Sequence, residues 1–392
     1  MNQKKLLSFD ATVIKNINEK LVLNLIREHE IISSSELVRI TGMRPSTIFN
    51  ITKELIAKNL IRFLGKGEST EKGGKKPYLW SLNKEAAYVI GLDIEVGEMT
   101  VVILNIGGDY IAKKVISVEI AKTLDELSQN IFNVVEEVIK QTNIEREKIL
   151  GLGIAFAGIV DCVDGIVVMS SVLPEMNFPL IDKLNEHFDF PIEIENNANA
   201  VAVGSKWIGQ AKGKKDYMTV LIEMDKGVAG LGIGIVIGGE LYHGASFCSG
   251  ELFPHLPQVR EILSGMRTRL SEGKFLKGYA DSIENLNITF LIEAAKQGDE
   301  IALLFFSKIG HSIGQIIAPA IALLNPDTLI ICGDVADLDD IIIDPVRSAI
   351  EMSVLSVASN ALTIVTTKHK HYAVAMGAAA IILDDYFRVP TV

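Results

Sequence analysis

The chain has 392 residues, which suits two or three domains, and its hydrophobic fraction of 48% excludes global disorder. Its three cysteines, Cys162, Cys248 and Cys332, are far apart, which argues against both a disulfide framework and a cysteine-rich zinc cluster. The net charge of −11 hides an asymmetry: residues 1–85 carry 15 Lys and Arg against 9 Asp and Glu, a balance of +6, leaving −17 for the rest. A basic head on an acidic body is the pattern of a nucleic-acid-binding segment; the competing reading is a solvated, Lys-rich surface. MNQKKLLSFD lacks the apolar run of a secretory signal. The longest apolar stretches, near Ile316–Leu324 and Ala373–Leu383, fall short of the roughly 20 residues a membrane helix needs. The expectation is a soluble, cytosolic protein with no membrane partner.

Ile14, Ile17, Leu21 and Leu25, with Val22 and Ile26 beside them, predict a helix over Val13–Glu28. Ser33 and Glu36 form a capping box for a short helix to Ile40, and Gly42 suits its C-terminal turn. Pro45 opens a third helix with Ile48, Ile51, Leu55 and Ile56 as its buried face. Two helices joined by a tight turn form a helix-turn-helix. The exposed face of the second would carry Arg44, Ser46, Thr47, Asn50 and Lys53 to phosphates and base edges in a major groove. Ile61 and Phe63, then a Gly- and Lys-rich tip, then Tyr78, Leu79 and Trp80 read as a wing. Its Lys72, Lys75 and Lys76 would contact phosphate, adding affinity without sequence choice. The competing reading of the helices is an ordinary three-helix domain, and the basic wing favours DNA binding over it.

From Tyr88 onward the pattern is α/β. Strands are expected at Val89–Ile94, Met99–Leu104 and Tyr110–Val118, a helix at Leu124–Lys140, and a strand at Ile149–Ala155. A turn at Asp164-Gly165, a helix at Ile181–His187 and a strand at Ile192–Ile194 follow. Met218–Met224, Val228–Ile237 and Leu241-Tyr242 start a second set of strands, followed by mostly helical residues 283–325, a strand at Thr328–Asp334 and a small-residue helix at Ala373–Leu383. Three antiparallel strands, then helix and strand, done twice, point to two lobes with a cleft between them. At the centre lies Ile194–Gly204, IENNANAVAVG, where a strand runs into a helix through three asparagines. Carboxamides at such a junction suit a hydroxyl-rich ligand, although the plain alternative is that they cap the helix. Asn197 has no titratable proton and cannot act as a general base.

The motifs GLDIEVGEMTVVILNIGGD, GLGIAFAGIVD, IENNANAVAVG, GVAGLGIGIVIGGELYHGA, SGELFPH and LLNPDTLIICGDVA, in that order, resemble the ROK family (repressors, open reading frames and kinases). The resemblance implies a winged helix-turn-helix domain over 1–84. It also implies a two-lobed, actin-like (ribonuclease H-like) sugar-binding and dimerisation body over 85–392, with its cleft near 194–204 and 250–255. It departs from the family's kinases at two points. Asp93 is followed by Ile94-Glu95-Val96-Gly97-Glu98 instead of a Gly-Gly-Thr phosphate loop, and Asn197 replaces the catalytic carboxylate. The family's zinc motif of one His and three close cysteines is also missing, so no structural zinc or other cofactor is expected.

The resemblance therefore implies a non-enzymatic, sugar-responsive repressor of carbohydrate-utilisation genes. It would bind a palindromic operator as a homodimer or a higher oligomer. Gly158, Asn196, Asn197, Glu251 and His255 would contact the sugar, although the Glu251–His255 spacing has one extra residue. The motifs contain no Lys or Arg, which favours a free sugar such as xylose or glucose over a sugar phosphate. The alternatives are an ATP-dependent sugar kinase with a DNA-binding head, or a repressor controlled by a protein partner.

Overall fold

The structure, a computed structural model, describes residues 11–67, 76–225, 228–252, 262, 275–276, 288–367 and 370–389. The head comprises α1 (Ala11–Glu28), β1 (Ile32–Ser33), α2 (Ser34–Thr41), α3 (Pro45–Ala57), β2 (Ile61–Lys66) and β3 (Tyr78–Leu82). The capping box forms as the sequence predicts: Glu36 N–H donates to Ser33 Oγ at 3.1 Å, and Ser33 N–H donates to Glu36 Oε2 at 2.9 Å. Gly42 ends α2 at a φ of 68°, a left-handed position that suits glycine. Ile48, Ile51 and Leu55 are buried together with Thr52, whereas Ile56 is exposed because it falls past the edge of that face. Val22, Leu23 and Ile26 fix α1 in the core, and Ile14 projects into solvent. β2 and β3 pair antiparallel as the sides of the wing, around a cluster of Phe63, Tyr78 and Trp80.

The first lobe comprises β4 (Tyr88–Glu95), β5 (Glu98–Asn105), β6 (Tyr110–Ser117), α4 (Leu124–Thr142), β7 (Ile149–Phe156), β8 (Gly158–Asp161), β9 (Ile166–Ser170), α5 (Leu180–Leu184), β10 (Ile192–Asn196) and α6 (Asn197–Trp207). The second comprises β11 (Tyr217–Asp225), β12 (Val228–Ile237), β13 (Glu240–Leu241), α7 (Ile288–Lys296), α8 (Glu300–Leu324), β14 (Thr328–Gly333), α9 (Asp340–Ser353), α10 (Ser356–Ala361), β15 (Thr363–Thr366) and α11 (Ala373–Phe387). Their five-stranded sheets run in the orders β10-β7-β4-β5-β6 and β15-β14-β11-β12-β13. In each, a three-stranded antiparallel meander supplies a first strand, and two later strands join it in parallel. This is one plan used twice, as the order of strand and helix signals predicts. No element was expected across residues 335–362, yet α9 and α10 lie there. Pro345 inside α9 breaks the helical signal, and β15, only four residues long, carries little pattern of its own.

α6 and α11 join the lobes by packing across them. Ala198 and Ala202 of α6 meet Gly232 and Gly234 of β12, while Ala375 and Ala378 of α11 lie on Gly91 of β4 and Gly153 of β7. A Cβ on Gly91 would sit 1.9 Å from the Ala375 carbonyl oxygen, and one on Gly204 would sit 2.8 Å from Gly377 Cα. The small residues of IENNANAVAVG are thus required by helix-on-helix and helix-on-sheet contact. Among the described residues, α8 is long and apolar enough to cross a membrane by length and composition alone. It serves as the core helix of the second lobe: Phe305, Phe306, Ile309, Ile313 and Ile317 are buried, and Gly310 and Gly314 abut Pro345 and Val346 of α9.

Candidate functional site

The β10–α6 junction lies where the lobes meet. Asn196 caps α6: its Oδ1 accepts from Ala198 N–H at 2.9 Å and Asn199 N–H at 3.2 Å. Its Nδ2 donates to the Gly158 carbonyl oxygen at 2.8 Å and faces Glu251 Oε1 at 3.5 Å. The capping role and the approach to Glu251 therefore coexist in one side chain. Asn197, the first residue of α6, accepts from Ala198 N–H through Oδ1 and donates through Nδ2 to Glu223 on β11, at 3.2 and 3.4 Å from its two oxygens. This hydrogen bond joins the two lobes. Gly158 has a φ of 145°, and a Cβ there would lie 2.1 Å from the Met169 carbonyl oxygen. The close approach that Gly158 permits is thus with β9 of its own hairpin, and its carbonyl holds Asn196. Glu251 is exposed, and desolvation raises its carboxyl from the ordinary carboxylate value. His255 lies outside the described residues.

An acidic group faces the same region. Asp93 on β4 is buried, and its carboxyl is pushed well up, first by desolvation and then by Glu223, Glu95 and Glu98. Glu223 is pushed up to about 7 by burial, with Glu95 and Asp334 adding to the shift and the Asn197 hydrogen bond opposing it. At the β4–β5 turn itself, Glu95 and Glu98 would repel a nucleotide triphosphate brought there. Lys206 is half-buried and pairs with Asp384 of α11 at 3.0 Å.

Three residues were not singled out by sequence reasoning. Glu195, buried behind Asn196, accepts from Asn196 N–H at 2.8 Å and from Asn199 Nδ2 at 3.0 Å. Its other oxygen lies 2.7 Å from His243 Nε2, which is 3.6 Å from Cys162 Sγ. His243 is pushed up to about 10 by Cys162 and Glu195, against the opposing effect of burial. Sequence separations of 48 and 81 residues left no spacing signal for this group.

In the head, Arg44, Ser46, Asn50 and Lys53 are exposed on one side of α3 and its N-terminal turn, with Thr47 half-buried beside them. Lys76 is exposed at the foot of the wing; Lys72 and Lys75 lie outside the described residues. The head is not loosely tethered. Lys20 Nζ donates to the Tyr386 carbonyl and Asn24 Nδ2 to the Phe387 carbonyl, both at 2.7 Å, at the end of α11. The Arg27 guanidinium sits 4.0 Å above the Trp207 ring, at the far end of the helix that begins at Asn197.

A winged helix docked on a duplicated α/β body, with carboxamides and carboxylates at the interlobe junction, is the arrangement of a regulator built on a sugar-kinase-like body. The ROK family model matches residues 89–385, and the chain belongs to the ROK family. It is 26% identical to the xylose repressor of Caldicellulosiruptor bescii, over 97% of this chain and 98% of the relative. It is also 26% identical to the xylose repressor of Bacillus subtilis, over 97% and 99% of the two chains. The fold matches the crystal structure of a ROK family transcriptional regulator, a homologue of the E. coli MLC protein, with a TM-score of 0.78 at 21% identity, covering 96% of this chain and 97% of that one. A ROK family glucokinase from Streptomyces griseus matches with a TM-score of 0.60 at 22% identity, covering 75% of this chain and 99% of that one.

Proposed function

We propose that the chain is a sugar-responsive transcriptional repressor in the cytoplasm that binds an operator through its winged helix and a free monosaccharide between its lobes. The observation that carries this reading is the pairing of an exposed polar face on α3 with an interlobe junction at which Asn197, where the family's kinases carry their base, bonds to Glu223. Arg44, Ser46, Thr47, Asn50 and Lys53 read the major groove, and Lys72, Lys75 and Lys76 hold phosphates. Asn196, Asn197, Glu251 and His255 surround the sugar, each hydroxyl partnering a carboxamide, carboxylate or imidazole. Asn197 cannot accept the substrate proton, so the body binds sugar without transferring phosphate to it. The naming of full-length relatives as xylose repressors makes xylose the first effector to test.

The route between the two sites is short. Sugar bound against Asn197 changes the angle between the lobes. α6 carries that change to Trp207, where Arg27 of α1 rests. A homodimer, its two heads set apart by this angle, would then fit or lose a palindromic operator. The sugar must bind the two dimer conformations with different affinity for this to work. The test is a DNA fragment selected in vitro by the protein itself, titrated with and without xylose, glucose and other monosaccharides. Release by one free sugar supports the reading. Retention with every sugar, together with ADP formation from ATP and a sugar, would replace it with the kinase reading.

A further inference from the structure

Cys162 Sγ, Glu195 Oε2 and His243 Nε2 converge, each ligand atom within 4.8 Å of the others, in a place no step of the sugar or DNA reading uses. The geometry is not that of a nucleophile relay. There the carboxylate would orient the imidazole through one nitrogen while the thiol used the other. Here the carboxylate, at 2.7 Å, and the sulfur, at 3.6 Å, face the same nitrogen. Nε2 has one lone pair or one hydrogen to offer, so two partners compete for it. A cation at the common point would satisfy all three donor atoms.

We propose that Cys162, Glu195 and His243 form a binding site for a zinc-class divalent ion. A thiolate, an imidazole and a carboxylate are a borderline-soft set that suits Zn²⁺. Tetrahedral Zn–N and Zn–S bonds set nitrogen and sulfur about 3.6 Å apart, and the structure holds them at 3.6 Å. The carboxylate must withdraw by only about 0.6 Å to make room for the ion. Glu195 is oriented toward the site, because its other oxygen accepts from Asn196 N–H and Asn199 Nδ2. A cavity of about 520 Å³, lined by these three residues together with Lys206, Glu240 and Arg388, leaves space for a water as the fourth ligand.

The site bridges the lobes. Cys162 follows β8 and Glu195 lies on β10, both in the first lobe, whereas His243 follows β13 in the second. A bound ion therefore pins the two lobes together directly behind Asn196. This site differs in residues and place from the cysteine-rich motif that the chain lacks, and it stands whether or not the sugar reading does.

The experiment uses the full-length protein, stripped with a chelator under reducing conditions. Zn²⁺ stoichiometry is read by competition with a chromophoric chelator, and Co²⁺ replaces Zn²⁺ to give a sulfur-to-metal charge-transfer band. The expected result is one equivalent per chain and a charge-transfer band that Cys248→Ser leaves intact. Cys162→Ser abolishes the band, and His243→Ala weakens Zn²⁺ binding at least about 100-fold. Zn²⁺ also raises the unfolding midpoint of the wild-type protein but not of Cys162→Ser. No stoichiometric binding by the folded wild type, or a band that survives Cys162→Ser and disappears in Cys248→Ser, overturns the site and leaves a hydrogen-bonded triad.

Discussion

Replacing Arg27 with alanine is expected to uncouple the sugar site from the DNA-binding head. The guanidinium lies 4.0 Å from the Trp207 ring centroid and 5.1 Å from that of Phe387. Its side chain is only 18% exposed, and among the described residues its Nε has no hydrogen-bond partner. Stacking on Trp207 and Phe387, with the nearby charge of Asp384, ties it to the body. A partly desolvated cation–π contact of this kind is worth about 1–2 kcal/mol. If the contact is made in one lobe arrangement and lost in the other, Arg27→Ala removes about 5- to 30-fold from the sugar-induced change in operator affinity. Fluorescence anisotropy on labelled operator, with and without saturating sugar, reads that ratio for wild type, Arg27→Ala, Trp207→Leu and the double variant. The cycle should be strongly non-additive, with the double variant no worse than Arg27→Ala. A wild-type ratio in Arg27→Ala, or additive effects in the double variant, would refute transmission through this contact.

Three further outcomes follow from the same geometry. Asn197→Ala should abolish the midpoint shift given by the effector sugar and leave sugar-free operator affinity within about twofold, a small change on the scale of binding energies; loss of DNA binding with normal sugar affinity would contradict the assignment. Lys75→Ala with Lys76→Ala should weaken operator binding and reduce the slope of log affinity against log salt by about 2, read from titrations at several salt concentrations; an unchanged slope removes the wing from the interface. Burial raises the Glu223 carboxyl from 4.5 to about 7, so the native state holds this proton more tightly than the unfolded chain and stability falls as pH rises through that window. Glu223→Gln should accordingly stabilise the protein by up to about 3 kcal/mol above pH 7 and by little near pH 4, as read from denaturant melts at both pH values.

Features carried by neighbouring residues were legible in the sequence. The Ser33–Glu36 box, Pro45 at the start of α3 and the alternating apolar runs of both meanders each state their structure within a few positions. What depended on tertiary contact was not. The asparagines could be read as ligand contacts or as caps, and Asn196 is a cap while approaching Glu251. The small residues around Ala200 signalled close packing but not that the partner would be Gly377 of α11. Nor did the sequence show that Gly158 packs closely on β9 of its own hairpin. The group of Cys162, Glu195 and His243 had no local signal because three separate loops and strands supply it.

The measurement that tests the central claim most directly is thermal unfolding of the full-length protein against free monosaccharides and their phosphates, each with and without Mg-ATP. A ligand that binds only the folded state raises the midpoint. The account predicts that one free sugar, with xylose first in line, raises it and that Mg-ATP adds nothing. A shift produced by Mg-ATP itself, or no shift with any free sugar, would contradict it.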